Sequence, residues 1–462
     1  MKKTKATIFS SLLLTLPILA NAGFDIQKNI QKLDWNGIEV TYLEDSRFPT
    51  FDLAIYFADG AISDLESKVG GETQSAFSMT MLGTKKYSRE VLSEKFEFFG
   101  ADSDVNVTHE YSTISLSGLA KDILPLTKLT CEILTEATFP TAEIQKVVNV
   151  QKSQSRALEN NHGALAGRIF REVSLEGTPF SYPTTGKLSD LDKIQSEKLK
   201  AKMDYFLTKV KKRIYITGPK SVLSIKDVIN KECGFTGETS QFVRTPTYKK
   251  KEQKDRTIVF APVEKANQVQ VMLGSFLNKD ELKEDELNYL ASEFLGGGFT
   301  SKLMQEIRVK RGLTYSVGAI ISSQKTYGRA VISTFTKNET ILELINVLTK
   351  AIDTSAGKNH QINPKQLGLV KQGVVGSYPF KFENNGQFLG ELMMMDHSGQ
   401  SYDDIFKFQE RVSKFNELDV ARVIENVFGR KRQTIFVLGD KSLLTKLKKL
   451  GPVRVVNFKD YI

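Results

Sequence analysis

Histidine is scarce. His109, His162, His360 and His397 are the only four in 462 residues. None has another His, a Cys or paired carboxylates at helix-turn spacing. A catalytic zinc takes three protein ligands, commonly including His, so no local stretch supplies a zinc site; residues distant in the chain could still converge. The four have ordinary readings. His109 lies in a strand-like segment, at a surface or edge. His162 and His360 lie in polar turns. His397 follows Met393-Met-Met-Asp396, where core packing outweighs a copper role. Cysteine is scarcer: Cys131 and Cys233 allow one disulfide in an exported chain or two buried thiols. The hydrolase elbow G-x-S-x-G and the phosphate loop G-x-x-x-x-G-K-[ST] are both missing. Gly296-Gly297-Gly298 lacks the Lys and hydroxyl of the latter, and reads as a connector or as a loop that touches substrate.

Long apolar runs are missing outside the N-terminus, which excludes a second membrane-span candidate. The first 22 residues hold Lys2, Lys3 and Lys5 and no acid. The apolar run Ile8 to Leu19 follows, then Ala20-Asn-Ala22. This reads as a secretory signal peptide cleaved after Ala22. The run is short for a transmembrane segment, and no Cys stands nearby to carry a lipid. The expectation is an exported protein with no transmembrane segment, periplasmic in a Gram-negative cell. Charge of one sign is not concentrated either. The 64 basic and 54 acidic residues leave +10, three of those units lie in the leader, and the rest is mixed along the chain. That pattern argues against a nucleic-acid partner.

What is present is a folded composition, 40% hydrophobic and 26% charged, long enough for more than one domain. Strand signals at 37–43 and 51–57 precede a helical stretch, Gly71-Glu-Thr-Gln-Ser-Ala-Phe-Ser-Met-Thr-Met-Leu-Gly-Thr84. Ser88 caps a helix over 89–99 and Gly100 stops it. Residues 105–117 read as one strand or a strand pair. Helices follow at 123–138, 141–159, 164–174 and 196–207, then a strand at 214–217 and a short helix at 221–231. After the polar stretch 235–254 the rhythm repeats. Strands at 256–260 and 269–273 are followed by helices at 284–295 and 300–310, strands at 314–322 and 328–336, a helix at 339–354, and a strand at 435–438. The two halves share an order of elements, not residue identities. The reading is a duplicated α+β protein: a leader (1–22), an N-terminal domain (23–234), a linker (235–254) and a C-terminal domain (255–462).

Four blocks carry a family resemblance. The first runs from Asp59-Gly60 to Gly83-Thr84. The second is Gly177-Thr-Pro-Phe-Ser-Tyr-Pro-Thr-Thr-Gly186. The third is Leu295-Gly-Gly-Gly-Phe-Thr-Ser-Lys-Leu303, and the fourth Arg308-Val-Lys-Arg-Gly-Leu-Thr-Tyr-Ser-Val317. Together they resemble the insulinase/pitrilysin-type metallopeptidases, in the branch of bacterial and mitochondrial-processing-peptidase-like chains. The resemblance implies two homologous domains, each a mostly antiparallel sheet with packed helices, together forming half of a clam-shell chamber. Active members carry H-x-x-E-H on the first helix. Anchored on Gly83-Thr84, the His positions fall on Gln74 and Ser78, the general-base position on Phe77, and the distal Glu position on or near Gln154. Ser is a poor zinc ligand, Gln offers only a weak carbonyl oxygen, and Phe cannot accept a proton. Glu72 at the helix start and the distant Glu159 do not rebuild the set. The resemblance therefore implies no cofactor in this chain.

The fourth block matches the family's Arg and Tyr, here Arg308 and Tyr315. The resemblance implies that Arg308 anchors substrate backbone or carboxylate, and that the Tyr315 hydroxyl hydrogen-bonds the oxyanion at the scissile carbonyl. In two-chain members one subunit supplies zinc and the other this pair. The implied partners are a homologous zinc-bearing H-x-x-E-H subunit and a peptide substrate. The segment Ala101 to Thr113 resembles the family's edge strand, where a peptide adds by β-augmentation; Asp104 replaces the Asn usual in active relatives. The resulting expectation is a catalytically incomplete subunit of an exported heterodimeric zinc peptidase. The alternative is a non-enzymatic peptide-binding or scaffold protein.

Overall fold

The computed structural model describes residues 29–235, 242–248, 253–264 and 266–462. The leader lies outside the described residues, as does half of 235–254. The described part of that connector is anchored. The Arg244 guanidinium bonds the fully buried Asp59 carboxylate at 3.0 Å, and Tyr248 joins an aromatic cluster with Phe180 and Phe276.

The first described strands form a hairpin, β1 (Ile30–Trp35) and β2 (Ile38–Glu44). Asn36 and Gly37 turn it with φ of 55° and 83°, the left-handed pair that a two-residue turn needs. β3 (Thr50–Phe57) leads to helix α1 (Glu72–Ser78) and then α2 (Arg89–Phe99). Ser88 caps α2 by accepting from the Val91 amide, and Gly100 ends it in the left-handed region, as the sequence predicts. The stretch 105–117 belongs to a hairpin, β4 (Asp102–Val107) and β5 (Ser112–Leu119). Helices α3 (Ile123–Glu136), α4 (Thr141–Ala157), α5 (His162–Ser174) and α6 (Ser196–Thr208) precede β6 (Lys212–Gly218) and α7 (Lys226–Glu232).

The second half repeats this plan with β7 (Thr257–Val263), β8 (Val269–Asn278), α8 (Asp285–Gly296), β9 (Val317–Ser323), β10 (Tyr327–Thr336) and α9 (Ile341–Asp353). Helices α10 (Pro364–Ser377), α11 (Asn385–Ser398), α12 (Asp403–Lys414) and α13 (Glu417–Phe428) follow, a stretch that carries no assignment in the sequence reading. β11 (Thr434–Asp440) and β12 (Val453–Val455) complete the described sheets. Within 300–310, expected as an ordinary helix, Met304–Val309 winds as a π-helical turn.

The order β1-β2-β6-β3-β5-β4 in one six-stranded sheet matches β12-β7-β11-β8-β10-β9 in the other. Among the described strands, only β2–β6, β7–β11 and β7–β12 pair in parallel. Five strands correspond one to one, so the duplication is real; only the outermost strand differs in origin.

Each half lends a helix to the other. Leu165, Ile169 and Phe170 of α5 pack on Val259, Phe436 and Leu438 of the C-terminal sheet. Phe388, Leu389 and Leu392 of α11 join the N-terminal core. The hairpin tips also lock. The Glu110 carboxylate accepts from the Lys325 and Thr326 amides, each at 3.0 Å, and from the Thr326 hydroxyl. Cys131 on α3 and Cys233 after α7 form a disulfide 102 residues apart. Closing so long a loop restricts the unfolded chain by on the order of 4 kcal/mol in the chain-entropy model.

Candidate functional site

The first candidate element is α1. Its start is shaped by close backbone contacts. Gly71 has φ +80°, and a Cβ there would lie 2.6 Å from the Thr185 carbonyl oxygen; a Cβ on Gly186 would lie 2.3 Å from that of Gly70. The first two resemblance blocks thus meet at the head of this helix. Phe77 is fully buried, edge-on to Phe57 (centroids 5.2 Å apart) and Phe206 (4.9 Å). The Ser78 hydroxyl donates to the Gln74 carbonyl at 2.7 Å, so it is spent on the helix backbone. Gln74 is half-buried, and Gln154 sits exposed on α4. The buried Glu72 pairs with Lys202 at 3.3 Å, and Lys202 also lies 3.4 Å from Asp64. Burial pushes Asp64 up to about 6, against the pull of Lys202 and the bonds from Thr73. An amide, a back-bonded hydroxyl and a phenyl ring do not fit zinc. Among the described residues no three His, Cys, Asp or Glu side chains converge.

Beside α1 runs β4, at the edge of its sheet and hydrogen-bonded to β5 alone among the described strands. Asp104 is exposed on it. The corresponding edge of the second sheet is β9.

Arg308 and Tyr315 stand at the entrance to β9. Arg308 lies in the π-helical turn, half-buried, with its guanidinium 4.7 Å from the centroid of the exposed Phe299 ring. Glu306, two residues away, is committed to Lys302, Lys310 and Arg311. Despite partial burial, those bonds hold its carboxyl at about 2. No carboxylate pairs with Arg308 among the described residues. The loop after it is tied down on both sides of Tyr315. The Thr336 hydroxyl donates to the Leu313 carbonyl at 2.7 Å, and the Thr334 hydroxyl to the Ser316 carbonyl at 2.9 Å. Leu313 and Thr314 are buried, whereas Tyr315 is 79% exposed. A rigid frame therefore presents one phenol to the outside. No hydrogen bond joins Tyr315 to Arg308.

The three glycines divide. Gly296 ends α8, and a Cβ there would lie 2.3 Å from the Ala319 amide nitrogen, so this glycine lets α8 approach β9. A Cβ on Gly297 would meet Glu293, while Gly298 faces open space.

His109 corrects its sequence reading: it is buried, not at a surface. It belongs to the β4–β5 turn, which folds under the second block. Nε2–H donates to the Tyr182 carbonyl at 2.7 Å, and Nδ1 accepts from Arg171 at 3.0 Å. Burial, reinforced by Arg171, lowers its pKa from 6.5 to about 4. Between those values the unfolded chain binds a proton that the folded chain refuses. The stabilising contribution is full above 6.5 and is lost as pH falls towards 4, on the order of 3 kcal/mol in all. The urea midpoint should therefore drop more between about pH 7 and about pH 5 in the parent than in His109→Gln; equal drops contradict this.

The duplicated sheet-and-helix architecture fits the resemblance to the inverted-motif zinc peptidases, and among the described residues no zinc ligand set accompanies it. Comparison with known proteins agrees. Residues 193–372 match the model described as "Peptidase M16 inactive domain". A Bacillus subtilis (strain 168) protein, "Uncharacterized zinc protease YmxG", is 20% identical over 403 residues, covering 86% of this chain and 93% of its own. The Helicobacter pylori "Non-peptidase homolog YmxG" is 22% identical over 356 residues, 76% and 80% of the two chains. A crystal structure of a "peptidase M16 inactive domain" from Pseudomonas fluorescens superposes with a TM-score of 0.79 at 20% identity, covering 89% of this chain and 98% of that one. The chain is thus similar, over the matched residues and in fold, to M16, insulinase/pitrilysin-type proteins described as inactive or as non-peptidase homologues.

Proposed function

We propose that this chain is the non-zinc subunit of an exported heterodimeric peptidase. The observation that carries the reading is the loop at β9. It presents an uncompensated Arg308 and an exposed Tyr315 in a chain whose own zinc positions are a core phenyl, a spent hydroxyl and an amide. Across a shared chamber, a homologous H-x-x-E-H subunit would activate the hydrolytic water. The Tyr315 hydroxyl would donate a hydrogen bond to the oxyanion as it forms, and Arg308 would hold a carbonyl or carboxylate of the peptide. The disulfide Cys131–Cys233 suits an oxidising compartment, in line with export to a periplasm. No helix among the described residues is long and apolar enough to cross a membrane.

A second reading, a peptide-binding or scaffold protein without catalysis, is favoured by one observation, the description of the Helicobacter pylori relative as a non-peptidase homologue. Mixing separates the two. The purified chain should cleave no peptide alone and should confer turnover when added to a homologous H-x-x-E-H chain from the same cells. Undiminished turnover by that partner alone would favour the scaffold reading.

A further inference from the structure

Between the two halves lies a cavity of about 710 Å³ whose lining is unusually cationic. Three guanidinium groups reach it: Arg168 and Arg171 from α5, three residues apart and so on one helix face, and Arg329 from β10. Tyr327 stands two residues before Arg329 and therefore on the same face of the strand. The cavity is thus built by a helix of the N-terminal half lying across a strand of the C-terminal sheet.

The three arginines are not equally satisfied. Arg168 donates to the Tyr461 and Gly186 carbonyls. Arg171 donates from one Nη to His109 and, at 3.2 Å, to the Tyr327 hydroxyl, while its Nε is sealed from solvent without a partner. Arg329 makes no side-chain hydrogen bond, and its Nε is likewise sealed and unpartnered. No carboxylate pairs with Arg171 or Arg329 among the described residues. Glu110 is the one carboxylate in the lining, and its oxygens are held by the Lys325 and Thr326 amides and the Thr326 hydroxyl. Burial, and then the Arg171 charge, push Arg329 down to about 10.

Like charges brought together out of water are costly unless a counter-charge joins them. A guanidinium fork matches the two oxygens of a carboxylate or phosphate, and a cavity of this size holds a small molecule. We infer that the cleft between α5 and β10 binds a small oxyanion ligand, with Arg329 and Arg171 as the residues that grip its charged group. Two sources share this chemistry: the free C-terminal carboxylate of a short peptide, and a phosphate. The inference does not depend on a zinc-bearing partner, because it is measured on the isolated chain.

The test is calorimetric titration and thermal melting of the full mature chain in phosphate-free buffer, with inorganic phosphate, trialanine and trialanine amide as probes. Phosphate or trialanine should bind one per chain and raise the melting temperature. Arg329→Met and Arg171→Met should each weaken that binding at least tenfold. Trialanine binding with at least tenfold discrimination against its amide assigns a peptide terminus, whereas phosphate binding alone assigns a phosphate. Because Arg329 has no partner, Arg329→Met should melt no lower than the parent when no ligand is present, which separates lost recognition from lost folding. The inference is overturned if neither probe binds, if the amide binds as well as the acid and phosphate does not bind, if both variants bind like the parent, or if ligand-free Arg329→Met melts several degrees lower.

Discussion

Tyr315→Phe should lower kcat of the reconstituted heterodimer by on the order of a hundredfold or more while leaving its melting temperature unchanged. The size follows from what one preorganised donor to a developing oxyanion contributes. The unchanged stability follows from exposure: the ring is 79% exposed, and its loop is held by Leu313, Thr314 and Ser316 instead. Preorganisation matters here, because the threonine ties leave the phenol little backbone freedom to lose on binding. Arg308→Ala should act differently. Its guanidinium covers Phe299 and has no acidic partner among the described residues, so the variant should raise KM at least as much as it lowers kcat. Turnover unchanged in Tyr315→Phe would sink the oxyanion role. A fall in melting temperature that tracks the loss of activity would recast Tyr315 as structural.

Rebuilding the zinc motif by Gln74→His, Phe77→Glu and Ser78→His should yield a chain that fails to fold stably, not an active peptidase. Phe77 has no exposed surface and is wedged between Phe57 and Phe206. Loss of a buried Phe costs about 3–5 kcal/mol. A carboxylate in its place also leaves water with no partner except the protein, which adds several kcal/mol or forces it neutral. The total is comparable to the net stability of a typical domain, about 5–15 kcal/mol. The single variant Phe77→Leu, which keeps the site apolar, should lose far less. A cooperatively folding triple variant that binds one zinc per chain would show that the site is merely unoccupied by ligands and not rebuilt as core.

Much of this was legible in the sequence because the signals are local. Ser88 and Gly100 bracket α2 through a cap and a left-handed stop that act within a few residues. The phenyl at position 77 rules out a general base there, because no geometry can make it accept a proton. The Asn36-Gly37 turn was equally local, yet β1 has a polar, weakly alternating pattern and went unread. The region 364–428 was missed for a different reason. Helices α10 and α11 bury only scattered residues each, so their periodicity is faint, and α11 makes sense only against the other half's sheet; α12 and α13, by contrast, carry clear apolar stripes that were legible. His109 appeared to be a surface residue because its cover, Tyr182 and Arg171, lies more than sixty residues away in sequence. The arginine-lined cleft was invisible for the same reason: α5 and β10 are brought together by the duplicated fold and by nothing in either local sequence.

The central claim is that this chain works as the zinc-free half of a pair. It is tested most directly by native mass spectrometry of the protein isolated gently from its own cells, with zinc measured on the same sample. The account predicts a 1:1 complex with a different chain of similar size, carrying one zinc. A zinc-free monomer or homo-oligomer would contradict it.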